Sequence, residues 1–206
     1  MITGLTAGWY REVLGRLPHG ACVLDIGIGT GGAVARCAEL IRARDIHIVG
    51  IDIDHDYLQR CAQEVARAGL AEHVRPCLAS VYHHRGGPYD AAYFSASLML
   101  LPDPVTAMRH VAAQLAPGGA LYFTQTFHAR RSVLREKLKP AMRRVTTIDF
   151  GRVTYEDDFR DAIEASGLRL DDFVTLRRTR SASFVLAVAR PVGGAGNGED
   201  RDALIA

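Results

Sequence analysis

Short apolar runs alternate along this chain with longer stretches in which apolar residues recur at helical spacing, the order produced when parallel strands are joined by crossover helices. The pattern predicts an α/β fold. Its first strand covers 21–26 (ACVLDI), whose near-continuous apolar character fits burial on both faces of a sheet, and is followed by glycines and a helix over 32–44. A second strand at 46–51 comes almost at once. After it, a helix over 56–68 stops at Gly69, and 74–78 reads as a shorter third strand. A fourth strand at 89–95 leads through a helix over 104–115 and the turn Pro117-Gly118-Gly119 into a fifth strand at 120–126.

Beyond Phe127 the alternation pauses for a basic stretch, so 128–152 reads as an insertion before a final helix over 155–166 that ends at Gly167. Strands at 168–176 and 183–189 are separated by too few residues for a parallel crossover and are expected to pair antiparallel. Seven strands result. The segment 1–19 reads as helical from Ala7, and 192–206 begins VGGAGNGED, too polar and glycine-rich to order itself, so a flexible tail is expected after a single domain over 1–191.

Composition narrows the class further. At 206 residues, 48% hydrophobic and 23% charged, the chain suits one packed core. The formal charge is +2, from 25 basic and 23 acidic side chains, so no global field draws it to nucleic acid or an anionic membrane. The cysteines Cys22, Cys37, Cys61 and Cys77 lie far apart, with no CxxC pair and no histidine cluster beside them, and no metal site is expected. No uncharged apolar run approaches the ~20 residues of a membrane span, and no leader pattern opens the chain. The expected compartment is cytoplasmic.

The segment LDIGIGTGG places Gly27, Gly29, Gly31 and Gly32 where the first strand gives way to a helix, and there unpaired N–H groups can approach a ligand closely. Read as G-x-G-x-x-G, it suggests a dinucleotide pyrophosphate; read as D-x-G-x-G-x-G, a ligand with a smaller, zwitterionic end. Asp25 favours the second template, because a carboxylate beside the loop repels pyrophosphate and attracts an ammonium. Asp52 ends the second strand in VGID, where a carboxylate can accept from both hydroxyls of a ribose.

With these residues in place the sequence resembles the class I S-adenosylmethionine-dependent methyltransferases, a seven-stranded Rossmann-like family. Four signatures occur in order: VLDIGIGTGG, VGIDID, YDAAYFSASLMLLPDP and AAQLAPGGALYF, so the resemblance spans about residues 20–125. It implies an open Rossmann-like sheet, strand order 3-2-1-4-5-7-6, with the last-numbered strand antiparallel and helices on both faces. It also implies that Gly27, Gly29 and Gly31 hold the methionine end of S-adenosylmethionine, that Asp25 meets its amino group directly or through water, and that Asp52 holds the ribose. Ile53 would pack on the adenine face, Ser80 and Val81 would lie at the adenine edge, and Ser95 would face the methionine amino group and the acceptor. Ser80 departs from the pattern, since many members carry an aspartate near that position.

A sulfonium donor is already activated, so methyl transfer asks the protein mainly to align the acceptor and exclude water. A hydroxyl acceptor also needs a base. By residue type the candidate bases are His128, after the fifth strand, and His83 and His84 in a loop before Gly86. Trp9 and Tyr10 in the helical TAGWYREVLGRL segment suit an aromatic lid over the cofactor or core anchoring of that helix, and Tyr10 joins His128 as a catalytic candidate. Where many relatives carry a histidine pair this chain has Met99 and Leu100, in LMLLP, an apolar stretch suited to a hydrophobic acceptor or to core packing. The insertion carries Arg130, Arg131, Arg135, Lys137, Lys139, Arg143 and Arg144 against Glu136, and its apolar residues recur at near-helical spacing. An amphipathic lid attracting an anionic group on the acceptor, or an anionic lipid surface, fits this pattern, as does a solvated basic face. Without interleaved aromatic residues, RNA is disfavoured as its partner. The expectation is a methyltransferase of a small molecule, with O-, N- and S-methylation all open. Methylation of RNA or protein, a nicotinamide-dependent oxidoreductase and a catalytically silent cofactor-binding protein stand as alternatives.

Overall fold

The computed structural model describes residues 2–128 and 155–193, with side chains over 6–127 and 155–193; most of the expected basic insertion and of the expected tail lies outside them. Seven strands form one sheet: β1 Cys22–Ile26, β2 His47–Asp52, β3 Val74–Leu78, β4 Tyr89–Ser95, β5 Leu115–His128, β6 Leu168–Arg178 and β7 Ala182–Pro191. Their order is β3-β2-β1-β4-β5-β7-β6, as the resemblance implies. The pairs from β3 to β5 are parallel, and β7 runs antiparallel to both β5 and β6. The short 179–181 connection forces that last arrangement, since a parallel crossover needs about a dozen residues.

Side chains alternate across the sheet and build two cores. Val23, Ala91, Tyr93, Ala120 and Tyr122 face one side, where α1 (Ile2–Leu14), α2 (Gly32–Ala35), α3 (Ala38–Ala43) and α4 (His55–Arg67) pack through Val13, Val34, Ile41, Leu58 and Val65. Leu24, Ala92, Phe94, Leu121 and Phe123 face the other, against α5 (Pro104–Ala112) and α6 (Glu156–Ala165). Phe94, Phe123, Phe127, Phe159 and Phe173 join in a run of ring contacts with centroids 5.2 to 6.5 Å apart, which seats α6 on the sheet.

Several boundaries differ from the sequence expectation. The first helix starts at Ile2 rather than Ala7. The helix expected over 32–44 is broken into α2 and α3 at Cys37, whose buried thiol turns to the Ala7 carbonyl of α1 at 3.7 Å. α5 stops at Ala112, and β5 begins at Leu115, taking Pro117-Gly118-Gly119 into the strand through an irregular register between Tyr89 and Ala91. Asp54 caps α4 by accepting from Asp56 and Tyr57 N–H, and Asp103 caps α5 ahead of Pro104.

Strand order reverses between β2-β1 and β1-β4, so the loops after β1 and β4 diverge to opposite sides of the sheet and leave a crevice at their carboxyl ends. The loop after β1 is held there by packing as well as by hydrogen bonds. Gly27 and Ile28 N–H both donate to Ile51 O, and Ile28 lies directly over Gly50, where an added Cβ would meet Ile28 Cδ1 at 2.2 Å and its Cβ at 3.0 Å. Gly50→Ala is therefore expected to lower stability by about 1–3 kcal/mol in urea unfolding, the usual cost of overpacking. Unchanged stability would show that Ile28 is free to swing away.

Candidate functional site

The crevice is built from backbone first. Gly27, Gly29 and Gly31 all have left-handed φ, at 81°, 59° and 71°. Two of them are also forced by contact: a Cβ on Gly27 would stand 2.9 Å from Ser97 Cβ, and one on Gly31 would stand 2.6 Å from Cys61 Sγ. Above Gly29 there is open space, so that position admits a ligand against its main chain. The Gly29 N–H donates to Asp52 Oδ2 at 2.9 Å, and the Asp54 N–H donates to Asp52 Oδ1 at 3.0 Å. Asp52 thus ties the glycine loop to the end of β2, and each of its oxygens keeps a second lone pair for a hydroxyl.

Next to Asp52, Ile53 stands 77% exposed, and Leu78, the partner of Asp52 at the end of β3, is also exposed. The Ala79 N–H donates to Asp52 O and brings the following Ser80 to this edge. Ser80 Oγ accepts from Tyr82 N–H at 3.4 Å, and its carbonyl accepts from His83 and His84 N–H. The Val81 side chain does not face the crevice: it is buried in the core with Ile51 and Leu98. Only its main chain is left for an adenine edge.

Asp25 is the central group. It is the β1 residue facing the α1 side, 1% exposed, with Tyr93 beside it on β4. Tyr10 from α1 donates to Asp25 Oδ2 at 2.7 Å, and Oδ1 has no hydrogen-bond partner among the described residues. Burial pushes the Asp25 carboxyl up to about 7; the Tyr10 hydrogen bond pulls it down and the charge of Asp52 pushes it up further. Tyr10 and Tyr93 are themselves held well above the usual phenol range, chiefly by burial. Their rings meet edge to face at 4.9 Å, and Tyr93 OH shares a 2.7 Å hydrogen bond with Thr124 Oγ1.

Ser95 and Ser97 add two more buried hydroxyls without a hydrogen-bond partner among the described residues. Ser95 Oγ lies close enough to Tyr10 and Tyr93 to favour their ionised forms slightly, yet no bonding geometry links it to either. Ala96 between them has φ 54°, a turn that alanine rarely makes, and it carries Ser97 back against Gly27. Three unpartnered polar atoms at the ends of β1 and β4 are costly unless something binds there.

Sequence reasoning placed Asp25, the glycines, Asp52, Ile53, Ser80 and Ser95 at one edge of the sheet, and the structure brings them there. It missed Ser97, whose only signal was its spacing two residues beyond Ser95, and Cys61, which backs Gly31 and whose thiol burial pushes up to about 12. His84 is buried and bonded to Tyr89 OH at 2.9 Å, with its pKa lowered mainly by burial, and its carbonyl accepts from His110; His83 is exposed. His128 closes β5 opposite Ala182, and its side chain lies outside the described residues, as does the basic run 130–144. In LMLLP, Leu98 is fully buried, Met99 partly so, and Leu100 47% exposed. No described helix is long and apolar enough to cross a membrane.

Comparison with known proteins agrees with this geometry. Residues 23–119 match the family model described as a methyltransferase domain. An O-methyltransferase of Aspergillus nomiae, rstn1, is 29% identical over 121 residues, which cover 57% of this chain and 52% of the relative. A ubiquinone biosynthesis O-methyltransferase of Bordetella bronchiseptica is 29% identical over 124 residues, 60% of this chain and 49% of the relative. The chain thus spans about half the length of the curated relatives it matches. Among solved structures, the cyclase SpnF superimposes with a TM-score of 0.71 at 21% identity, over 93% of this chain and 81% of that one, a likeness of fold.

Two expectations follow from Asp25. Its folded pKa lies above the ordinary value of 3.8, so between about pH 4 and 7 the folded state keeps a proton that the unfolded chain has released. The stability this group contributes is complete below about pH 4 and is lost as pH rises through 7; relative to Asp25→Asn, the parent should weaken progressively across that window in urea titrations, and a pH-independent difference would contradict the assignment. Tyr10→Phe removes the interaction that lowers the Asp25 pKa, so the carboxyl titration followed by NMR should move above about 7. At pH 8 the same change should cost about 1.5–3 kcal/mol, the worth of a hydrogen bond to a charged group.

Proposed function

We propose that this chain is a class I S-adenosylmethionine-dependent methyltransferase, which transfers a methyl group from S-adenosylmethionine to a small-molecule acceptor by in-line displacement. The observation that carries this reading is Asp25: a buried carboxylate with one oxygen unpartnered among the described residues, at the mouth of a glycine loop tied to Asp52. An ammonium is the chemical complement of that oxygen. A pyrophosphate is not, which disfavours a nicotinamide dinucleotide.

The cofactor supplies the activated methyl group. Gly27, Gly29 and Gly31 let the main chain close on its methionine end, and Asp25 Oδ1 accepts from its amino group. Asp52 takes the ribose hydroxyls on the lone pairs that the Gly29 and Asp54 N–H groups leave free. Ile53 would offer an apolar face for adenine, with Ser80 and the Val81 main chain at its edge, while Ser95 and Ser97 would supply buried hydroxyls beside the methionine end. Tyr10 acts as a positioning residue: its hydroxyl is committed to Asp25 and its ionisation is opposed by burial, which leaves His128 as the candidate base.

For the acceptor, a small molecule with a hydroxyl is the first to test, because both named relatives are O-methyltransferases. The basic run 130–144 supports an anionic group on it. A cytoplasmic location accords with four cysteines that are all free thiols.

Calorimetric titration of the cofactor-stripped chain with S-adenosylmethionine, S-adenosylhomocysteine and a nicotinamide dinucleotide tests the reading. Saturable binding of the first two alone is expected, and binding of the dinucleotide alone would overturn it. Asp52→Ala should weaken S-adenosylmethionine about 5- to 150-fold through two lost hydrogen bonds, while a folded variant of unchanged affinity would remove Asp52 from the site.

A further inference from the structure

We propose that the chain carries a second ligand site, for a divalent transition-metal ion of the zinc class, at the end of the sheet away from the crevice. Asp45, His47 and His73 meet there, each offering a ligand atom, and these atoms all lie within 4.8 Å of one another. Asp45 Oδ1 stands 3.4 Å from His47 Nε2 and 3.9 Å from His73 Nδ1. Neither separation is a hydrogen bond, for which about 2.7–3.2 Å is usual. Ligand atoms bound to zinc at about 2.0–2.1 Å in a tetrahedron stand about 3.3–3.4 Å apart, which the Asp45–His47 separation matches, while the His73 ring would turn inward to complete the set. The imidazole rings lie side by side, 5.4 Å between centroids and 28° from parallel.

The three residues sit on backbone that is already fixed. Asp45 occupies a left-handed turn, φ 50°, between α3 and β2, with its N–H on Arg42 O. His47 N–H donates to Ala21 O, and His73 is held by its own N–H to Leu70 O and by Ile48 N–H to its carbonyl. His73 Nδ1 also lies 3.2 Å from the Ile46 carbonyl; the tautomer that donates there leaves Nε2 as the nitrogen for an ion, an arrangement usual for metal-bound imidazoles. Preformed ligands lose little freedom on binding. His47 and His73 also line an open groove of about 530 Å³ with Glu72 and Arg75, so solvent ions reach them. Two imidazoles and one carboxylate are a ligand set for zinc, nickel or copper rather than for calcium or magnesium, and they leave a fourth position to water.

The placement separates this site from the crevice. His47 opens β2 and Asp52 ends it, about 16 Å apart at ~3.3 Å per residue. A bound ion would tie the turn before β2 to the entry of β3 and brace one edge of the sheet. The sequence expectation of no metal site rested on the absence of a local motif, and only the pairing of β2 with β3 brings residue 73 to residues 45 and 47.

Zn²⁺ titration of the untagged full chain, with Co²⁺ absorption spectra in parallel, tests the proposal. About one equivalent should bind, and His47→Ala, His73→Ala and Asp45→Asn should each weaken it by about 10- to 100-fold or more. Asparagine keeps the left-handed turn, so the last variant removes the carboxylate without disturbing the backbone. The Co²⁺ form should show tetrahedral visible bands and no thiolate charge-transfer band, and S-adenosylmethionine affinity should be the same in parent and variants. Absence of stoichiometric binding, binding unchanged in all three folded variants, or a thiolate band assigning the ion to cysteines would overturn it.

Discussion

A carboxylate buried at the carboxyl end of a central strand is expensive, and most of this protein's candidate site is organised around that one cost. Asp25 reaches the α1 face of the sheet, where desolvation pushes its proton affinity up to about 7. Tyr10 satisfies one oxygen and draws α1 down onto the sheet beside Tyr93. The other oxygen has no hydrogen-bond partner among the described residues. The fold thus spends stability on a group whose best partner is a cation brought by a ligand, a common signature of binding sites.

The surrounding architecture makes that position usable. Reversal of strand order at β1 opens the crevice, and parallel pairing brings the ends of β1, β2 and β4 to the same edge. Left-handed glycines turn the chain back over β2, where Ile28 fills the space above Gly50 and Asp52 captures the Gly29 N–H. In the proposed reading, the ribose and ammonium acceptors, Asp52 and Asp25, flank the same loop. A shared fold does not set the reaction, as the cyclase with this fold illustrates, so the chemistry rests on these residues.

Much of this was legible beforehand. Buried parallel strands are short apolar runs bounded by turn residues, and 74–78 and 89–95 emerged with their observed limits. The glycine loop, Asp25 and Asp52 were legible because a backbone cradle needs glycine and a carboxylate near a strand end stands beside that cradle. What was hidden depends on distant contacts. The break in the 32–44 helix follows from Cys37 meeting α1, the pairing of Tyr10 with Asp25 from the seating of α1, and the recruitment of Ser97 from the left-handed turn at Ala96. The gathering of Asp45, His47 and His73 likewise waits on strand pairing. Periodicity describes one element at a time and carries no record of such meetings.

The central claim is that the free oxygen of Asp25 receives an ammonium and is ionised by it. Calorimetry of S-adenosylmethionine binding at pH 6.5, repeated in buffers of different ionisation enthalpy, counts the protons exchanged. With a free carboxyl near 7, about three quarters of a proton should be released per molecule bound, and Asp25→Asn should abolish the release. Binding without proton release in the parent chain would contradict the account, because Asp25 would then keep its proton and meet no cation.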